Sequence, residues 1–462
     1  MARTVADSDS WAREHFGRVE LGDRRRTRRA VLVAAQMARQ PGASIPQQAG
    51  RWSQTKASYR LFDENQVTFE ALSAAHWNMT REAAGAVPRV LMIQDTSCLD
   101  FTGHPATEGL GPIGDHRGRG LMMHSTLAVQ PEGSGEVLGL AYQSLFCRQP
   151  TPRKETRTQR KHRVRESEVW RTSVREVGSP AAGTQWIHVC DRYADDFETY
   201  DACRQMGVDF VIRASQDRRA ALGHDAGEAD DHVLCLARSL ASVGEKTLRL
   251  RRRPTRQPRA ALLQVSFAPV TLFPPWLARK GAEPLRAWVV RVWEPQTPQG
   301  EEPIEWVLLT TVPVTQVEEA LTIASWYSLR WLIEEYYKCL KTGCAVEKRQ
   351  LEEVERLRAC IGVLAVVAVR LLQLKQLARV EPQRPASTCV SMEHVRVAAA
   401  YWKRPVEGWT VREFWRAVAQ LGGFLARKSD GEPGWQTLWR GWQALDLMTL
   451  GARLAPREKK SG

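Results

Sequence analysis

Two short apolar runs, Val90–Ile93 (VLMI) and Trp186–Cys190 (WIHVC), are each closely followed by an aspartate, Asp95 and Asp191. Both runs are too short for a typical helix, and neither alternates as a half-exposed strand does. Each therefore reads as a buried strand of a parallel sheet, which places the chain in the α/β class. In open α/β sheets the carboxyl edge of the strands is where ligands bind. An ionised carboxylate there must be paired, hydrogen-bonded or on a metal. For either acid alone, a strand-end cap is the plainer reading.

The remaining chain is organised around these strands. Residues 1 to about 75 read as helical, with Asp23 as N-cap before the arginine run Arg24–Arg29 and Ala30–Arg39 as a strong helix former. Five arginines in six positions suit phosphate contact; a solvated helix face is the alternative. Gln54–Phe62 brings basic and aromatic side chains together. Leu121–Val129 and Val137–Cys147 flank a Gly/Pro-rich turn and read as a hairpin. Arg153, Lys154, Arg157, Arg160, Lys161 and Arg163 form a basic loop leading into a helix. Asp209–Arg213 reads as a strand beside Trp186–Cys190. Short strand-like runs broken by Pro fill 215–312, which reads as a β-rich insertion with a second basic cluster, Arg249, Arg251, Arg252, Arg253, Arg256 and Arg259. From Val317 the pattern is helical to about Ala378, then a Pro-broken linker (380–385) leads to a helical tail.

The helix spanning about 319–341 carries a third acid. At 100° per residue, Tyr327, Arg330, Glu334 and Lys341 fall within about 60° of one face. A salt-bridge stripe is one reading, since Arg330 and Glu334 are i, i+4 partners. The other is chemical. Carboxylates from two strands and a helix can hold two divalent ions, with Arg330 and Lys341 placed to clamp a phosphate.

Charge supports the chemical reading. The 462 residues hold 66 Lys+Arg against 52 Asp+Glu, a formal net charge of +14, which points to an acidic polymer as partner. The chain has no contiguous apolar run of the roughly 20 residues a membrane helix needs; the best, Ile361–Val369, stops at Arg370. The N-terminus has no signal-peptide pattern, and the nine cysteines form no CxxC, which together suit a reducing compartment.

Tyr327-x2-Arg330-x3-Glu334-x6-Lys341 resembles the Y-R-E-K signature of the insertion-sequence-four family of DDE transposases. The string YSLRWLIEEYYKCLKTGCAVEKRQLEE is similar to its transposon-five type. LGDRRRTRR and KASYRLF resemble the end-binding region, IQDTS and VCDRYAD the surroundings of the two catalytic aspartates, and GGFLARKSDGEPGWQTLWRGWQAL the C-terminal region. Tyr193 stands where the family often has Glu.

The resemblance implies an α/β fold with an RNase H-like catalytic core and a β-rich insertion, flanked by helical N-terminal and C-terminal domains. Residues 1–75 would be the helical end-binding domain, 85–214 the first part of the core and 215–312 the insertion. Residues 313–378 would carry the catalytic helix, and 386–462 the dimerisation domain. Asp95, Asp191 and Glu334 would bind two Mg2+ per active site, with Mn2+ as a substitute. Tyr327, Arg330 and Lys341 would contact DNA phosphates, as would Arg25, Arg26 and Arg29 of the end-binding domain. Trp306, in EWVLLTTVPV, would stack on a flipped base; a strand aromatic in the insertion core is the alternative.

The implied activity is cut-and-paste transposition through a DNA hairpin. Its partners would be double-stranded DNA (inverted-repeat ends and target) and a second copy in a synaptic homodimer, with no membrane partner. The setting would be cytoplasmic, at a bacterial nucleoid. A catalytically inactive or domesticated DNA-binding inhibitor, or an RNase H-like nuclease without strand transfer, are the competing classes.

Overall fold

Alternation along β1 (Arg89–Asp100) sets the layers. Val90 and Met92 point into one hydrophobic core, while Leu91 and Ile93 point into another on the opposite face. The computed structural model describes residues 8–115, 117–133, 135–149, 156, 165–250, 258–275, 283–427 and 430–454. Most of the two basic clusters, Arg153 to Arg163 and Arg251 to Arg256, lies outside the described residues.

Five helices precede β1: α1 (Ser8–Phe16), α2 (Arg24–Arg39), α3 (Ile45–Ala49), α4 (Trp52–Phe62) and α5 (Phe69–Ala84). The Asp23 carboxylate accepts from the Arg25 amide and caps α2, as its position before the arginine run predicts. After β1 come β2 (Gly111–Ile113), β3 (Gly118–Gln130), β4 (Glu136–Phe146), α6 (Glu168–Val177), β5 (Gln185–Cys190), α7 (Phe197–Met206) and β6 (Asp209–Arg213). β1, β5 and β6 are parallel neighbours, whereas β3 pairs antiparallel with β1, β2 and β4.

The next segment comprises β7 (Arg219–Leu222), β8 (Asp231–His232), α8 (Val233–Ser239), β9 (Gly244–Leu250), β10 (Arg259–Leu272), β11 (Leu285–Trp293) and β12 (Glu305–Thr310). Its strands continue the same sheet, because β12 pairs antiparallel with β6. The described strands form one 12-stranded mixed sheet ordered β2-β3-β1-β5-β6-β12-β11-β10-β7-β8, with β4 on β3 and β9 on β10.

α9 (Val317–Leu329), α10 (Trp331–Lys338) and a π turn, Cys339–Gly343, follow. The helical region predicted from Val317 is present but not uniform. At Arg330 the backbone tightens, its N–H donating to Tyr327 O at 3.1 Å. The π turn then underwinds the chain. Gly135, at φ 82°, lets the β3–β4 turn press on this junction; a Cβ there would stand 3.1 Å from the Leu329 side chain.

α11 (Val354–Val380) packs on α2, α4, α5, β4 and α10. By length and composition, its Val354–Arg379 segment could cross a membrane, with mean hydropathy 2.0 over its best window. That differs from the expectation based on contiguous apolar residues. However, 89% of the window is buried inside the protein, so it is a core helix. Its charges are accommodated internally: Arg370 donates to Ala38 O and Lys375 pairs with Glu335 at 2.9 Å. α12 (Met392–Tyr401), α13 (Val411–Leu421) and α14 (Trp435–Leu454) complete the tail, α13 also meeting α11.

A buried polar chain ties β3, β1 and β5 together. Thr96 Oγ1 lies 2.8 Å from His124 Nδ1. His124 Nε2 lies 3.0 Å from Gln94 Oε1, and Gln94 Nε2 lies 2.6 Å from His188 Nδ1. With its carbonyl toward His124 and its NH2 toward His188, the Gln94 amide accepts from His124 Nε2 and donates to His188 Nδ1, and burial disfavours the charged form of both rings. Burial lowers both histidines to about 3; His188 adds to the shift of His124. Free histidine titrates near 6.5, so between about pH 6.5 and 3 the unfolded chain binds protons that the folded chain refuses. Stability therefore falls as pH drops through that range. The urea midpoint is expected to be lower at pH 5 than at pH 7.5, and His188→Gln should shrink that difference. An equal difference in the variant would remove His188 from the account.

Candidate active site

The pairing of β1 with β5 places the first two acids. Ile93 stands opposite Val189 in a parallel ladder, so two residues on, Asp95 is level with Asp191. Both continue the alternation that turns Leu91, Ile93, Ile187 and Val189 toward the core containing Ile323 and Ile333 of α9 and α10. Asp191 directly follows β5, as the sequence predicts. Asp95 does not end its strand: β1 runs on to Asp100, paired with β3 after β5 has stopped. The carboxyl edge at this position belongs to β5, and β1 simply passes it.

Arg330 joins the first acid to the third. Its guanidinium donates to Asp95 Oδ2 at 3.3 Å and to Glu334 Oε1 at 3.2 Å, and its side chain is only 11% exposed. The Thr96 amide donates to Asp95 Oδ1 at 2.8 Å, and the Tyr193 amide donates to Asp191 Oδ1 at 2.9 Å. The Asp95 carboxyl is nonetheless pushed up to about 6. Burial is the main cause, Arg330 opposes it, and the charges of Asp191 and Glu334 add to it. One guanidinium thus pairs with Asp95 and Glu334 while the charge of Asp191 acts on both Asp95 and Arg330, which leaves a surplus of negative charge. Among the described residues no three such side chains already stand in a metal-binding arrangement, and Arg330 is the cation that two of them share. The donor set is all oxygen and the surplus is negative, which fits a hard divalent cation.

The other expected contacts are distributed around this cluster. Tyr327 is buried, with its ring edge-on to Trp306 at 5.3 Å, and burial raises its hydroxyl pKa. Trp306 is half-buried on β12. Lys341 departs from the helical wheel because it falls in the π turn. It pairs with Glu347 at 3.6 Å near the Asp100 end of β1, where Glu347 also accepts from the Asp100 amide. Of the α2 arginines, Arg25 is exposed and makes no side-chain ion pair among the described residues. Arg26 pairs with Glu64 and donates to Gln66, and Arg29 donates to Gln54.

Sequence reasoning missed several groups. The Tyr337 hydroxyl donates to the carbonyl of Asp95 at 2.8 Å. Asp195 is buried and accepts from the Ser215 and Gln216 amides, both at 2.6 Å, and from Arg218 at 3.0 Å, which braces the segment after Asp191. Its place in the string VCDRYAD was the available signal. Tyr193 is 67% exposed, beside the Arg192 guanidinium.

Comparison with known families gives three matches. Residues 8–67 match the family described as "Transposase DNA-binding", 154–369 "Transposase DDE domain", and 366–462 "Transposase Tn5 dimerisation domain". The DDE match includes Asp191, Glu334, Tyr327, Arg330, Lys341 and Trp306; Asp95 precedes it and is tied to the others by geometry.

Mutual repulsion of the acids predicts a stability cost. Asp191→Asn retains a capping oxygen for the Tyr193 amide and removes a charge facing Asp95. In EDTA at pH 7.5 the variant should be more stable than the parent by on the order of 0.5 kcal/mol. Urea titration measures this, and a destabilised variant would contradict the account.

Proposed function

We propose that this chain, which belongs to the DDE transposases of the Tn5 type, is a cut-and-paste transposase whose catalytic acids are Asp95, Asp191 and Glu334. As a DDE transposase it is an enzyme of DNA cleavage and strand transfer. The observation that carries the residue assignment is the Arg330 bridge between Asp95 and Glu334, with Asp191 level with Asp95 and its charge acting on the same raised carboxyl. We read β1, β3, β5 and β6, with α9 and α10, as an RNase H-like core and β7 to β12 as its insertion. Residues 1–75 serve DNA ends and 386–462 a synaptic homodimer.

Asp95, Asp191 and Glu334 would hold two Mg2+ ions, with Mn2+ as substitute. Bound there, such ions activate an attacking oxygen and stabilise a leaving one. The protein's own part is positioning and charge. Arg330, with its planar fork, turns from the carboxylates to a DNA phosphate, where it fixes the scissile bond. Lys341 adds a point charge at the Asp100 side of the cleft. Arg25, Arg26 and Arg29 engage backbone phosphates of the transposon end, with Arg26 and Arg29 exchanging their internal partners for DNA. Tyr327 backs Trp306, whose flat face receives an unstacked base. The end is nicked, its 3′-OH attacks the opposite strand to give a hairpin, water reopens the hairpin, and the freed 3′-OH attacks target DNA. The setting is the bacterial cytoplasm, at the nucleoid.

Incubation with inverted-repeat DNA, target DNA and Mg2+ tests this. Cleaved ends, hairpins and joined donor–target products are expected from the parent, and none from Asp191→Ala. Cleavage without joining would indicate a plain nuclease; binding alone would indicate an inactive DNA-binding protein. Trp306→Ala should slow hairpin formation by about tenfold or more while changing end binding little. Equal losses in both would assign Trp306 to packing.

A further inference from the structure

We propose that Tyr337 is a positioning residue: its hydroxyl ties the helix that carries Glu334 to the main chain of Asp95 and so keeps the two carboxylates within reach of a shared divalent cation. The inference rests on the carboxylate site proposed above. Tyr337 lies on α10, three residues after Glu334, and its ring is buried. Its hydroxyl oxygen stands 2.8 Å from the carbonyl oxygen of Asp95 on β1 and 3.1 Å from that of Met123 on β3. One phenolic proton is therefore shared between two strands, which centres the ring over their pairing.

The geometry selects this group over its neighbours. Among the described residues, the other hydrogen bond from this helical junction to β1 is the Arg330 bridge to Asp95, and apolar side chains of α10 and β1 share one core. Apolar contacts are non-directional and tolerate small sliding. Arg330 holds the same carboxylate oxygens that a cation would take, so its bridge is lost when they are used. Tyr337 instead holds the main chain of Asp95, leaves both carboxylates free, and persists through that exchange. Outer partners of this kind orient ligands and commonly set about tenfold or more in metal affinity.

Tyr336 supplies the control. It is also buried, and its hydroxyl accepts from Gln143 Nε2 on β4 at 2.9 Å; Gln143 in turn donates to Ser125, the β3 residue opposite Asp95, so Tyr336 reaches the same strand pair without bonding Asp95 itself. Tyr336→Phe and Tyr337→Phe each remove one buried hydroxyl from the same helix, but only the second removes a hydrogen bond to Asp95.

The test uses the full chain without DNA and titrates Mn2+, followed by the paramagnetic resonance signal of the free ion. Thermal melting in EDTA checks that each variant folds. Tyr337→Phe should weaken Mn2+ binding about tenfold, whereas Tyr336→Phe should stay within about twofold of the parent. With DNA present, the Mn2+ concentration giving half-maximal cleavage should rise for Tyr337→Phe, and excess Mn2+ should recover the rate. If the two variants bind Mn2+ alike, the positioning role is overturned. Should Tyr337→Phe not fold, Tyr337→His, which keeps a ring donor, must bind Mn2+ more weakly than the parent, since its reach is shorter; parental affinity overturns the role. Asp95→Asn separates the two levels. Retained parental Mn2+ affinity there would sink the carboxylate site itself, whatever Tyr337 does.

Discussion

The parallel pairing of β1 with β5 is the constraint on which the rest depends. A strand has a side-chain period of two, so a slip of one residue would send Asp95 or Asp191 to the opposite face, into the core formed by α6 and α7. The register is held by apolar side chains on both faces and by the Thr96–His124–Gln94–His188 chain between three strands. Gln94 is especially effective because its amide has a donor end and an acceptor end, and each meets a different histidine. The site therefore inherits its geometry from a polar chain one residue behind Asp95.

The helix on the other side of the cleft is irregular where it matters. Tightening at Arg330 and underwinding at Cys339–Gly343 bracket Glu334, and each departs from the ideal hydrogen-bond pattern. The first aims Arg330 between two carboxylates. The second carries Lys341 away to Glu347 and the far end of β1. Two cations of one sequence motif thus stand at two separate points along a single strand.

Much of this was legible in the sequence, and the failures have physical causes. Asp209–Arg213 was readable as a strand because its apolar run is bounded by charges, and Asp23 as a cap because the chain changes character there. The end of β1 was not readable, since Thr96–Asp100 is polar and is held in the sheet by β3, not by its own apolar content. A wheel at a constant 100° could not contain a π turn, so Lys341 was misplaced. Tyr337 looked like any core aromatic. Its partner is a main-chain carbonyl 242 positions earlier, and backbone carbonyls leave no mark in a sequence. α11 escaped notice as a long apolar helix because Arg370 interrupts the run, although that guanidinium is itself buried against Ala38 O.

α11 also has a consequence for biogenesis. The N-terminal helices α2, α4 and α5 lean on a helix encoded near the end of the catalytic region. During synthesis they emerge long before this packing partner, although α2 and α4 also pack on each other. The faces of α2, α4 and α5 that meet α11 therefore gain their cover only after residue 380 has followed.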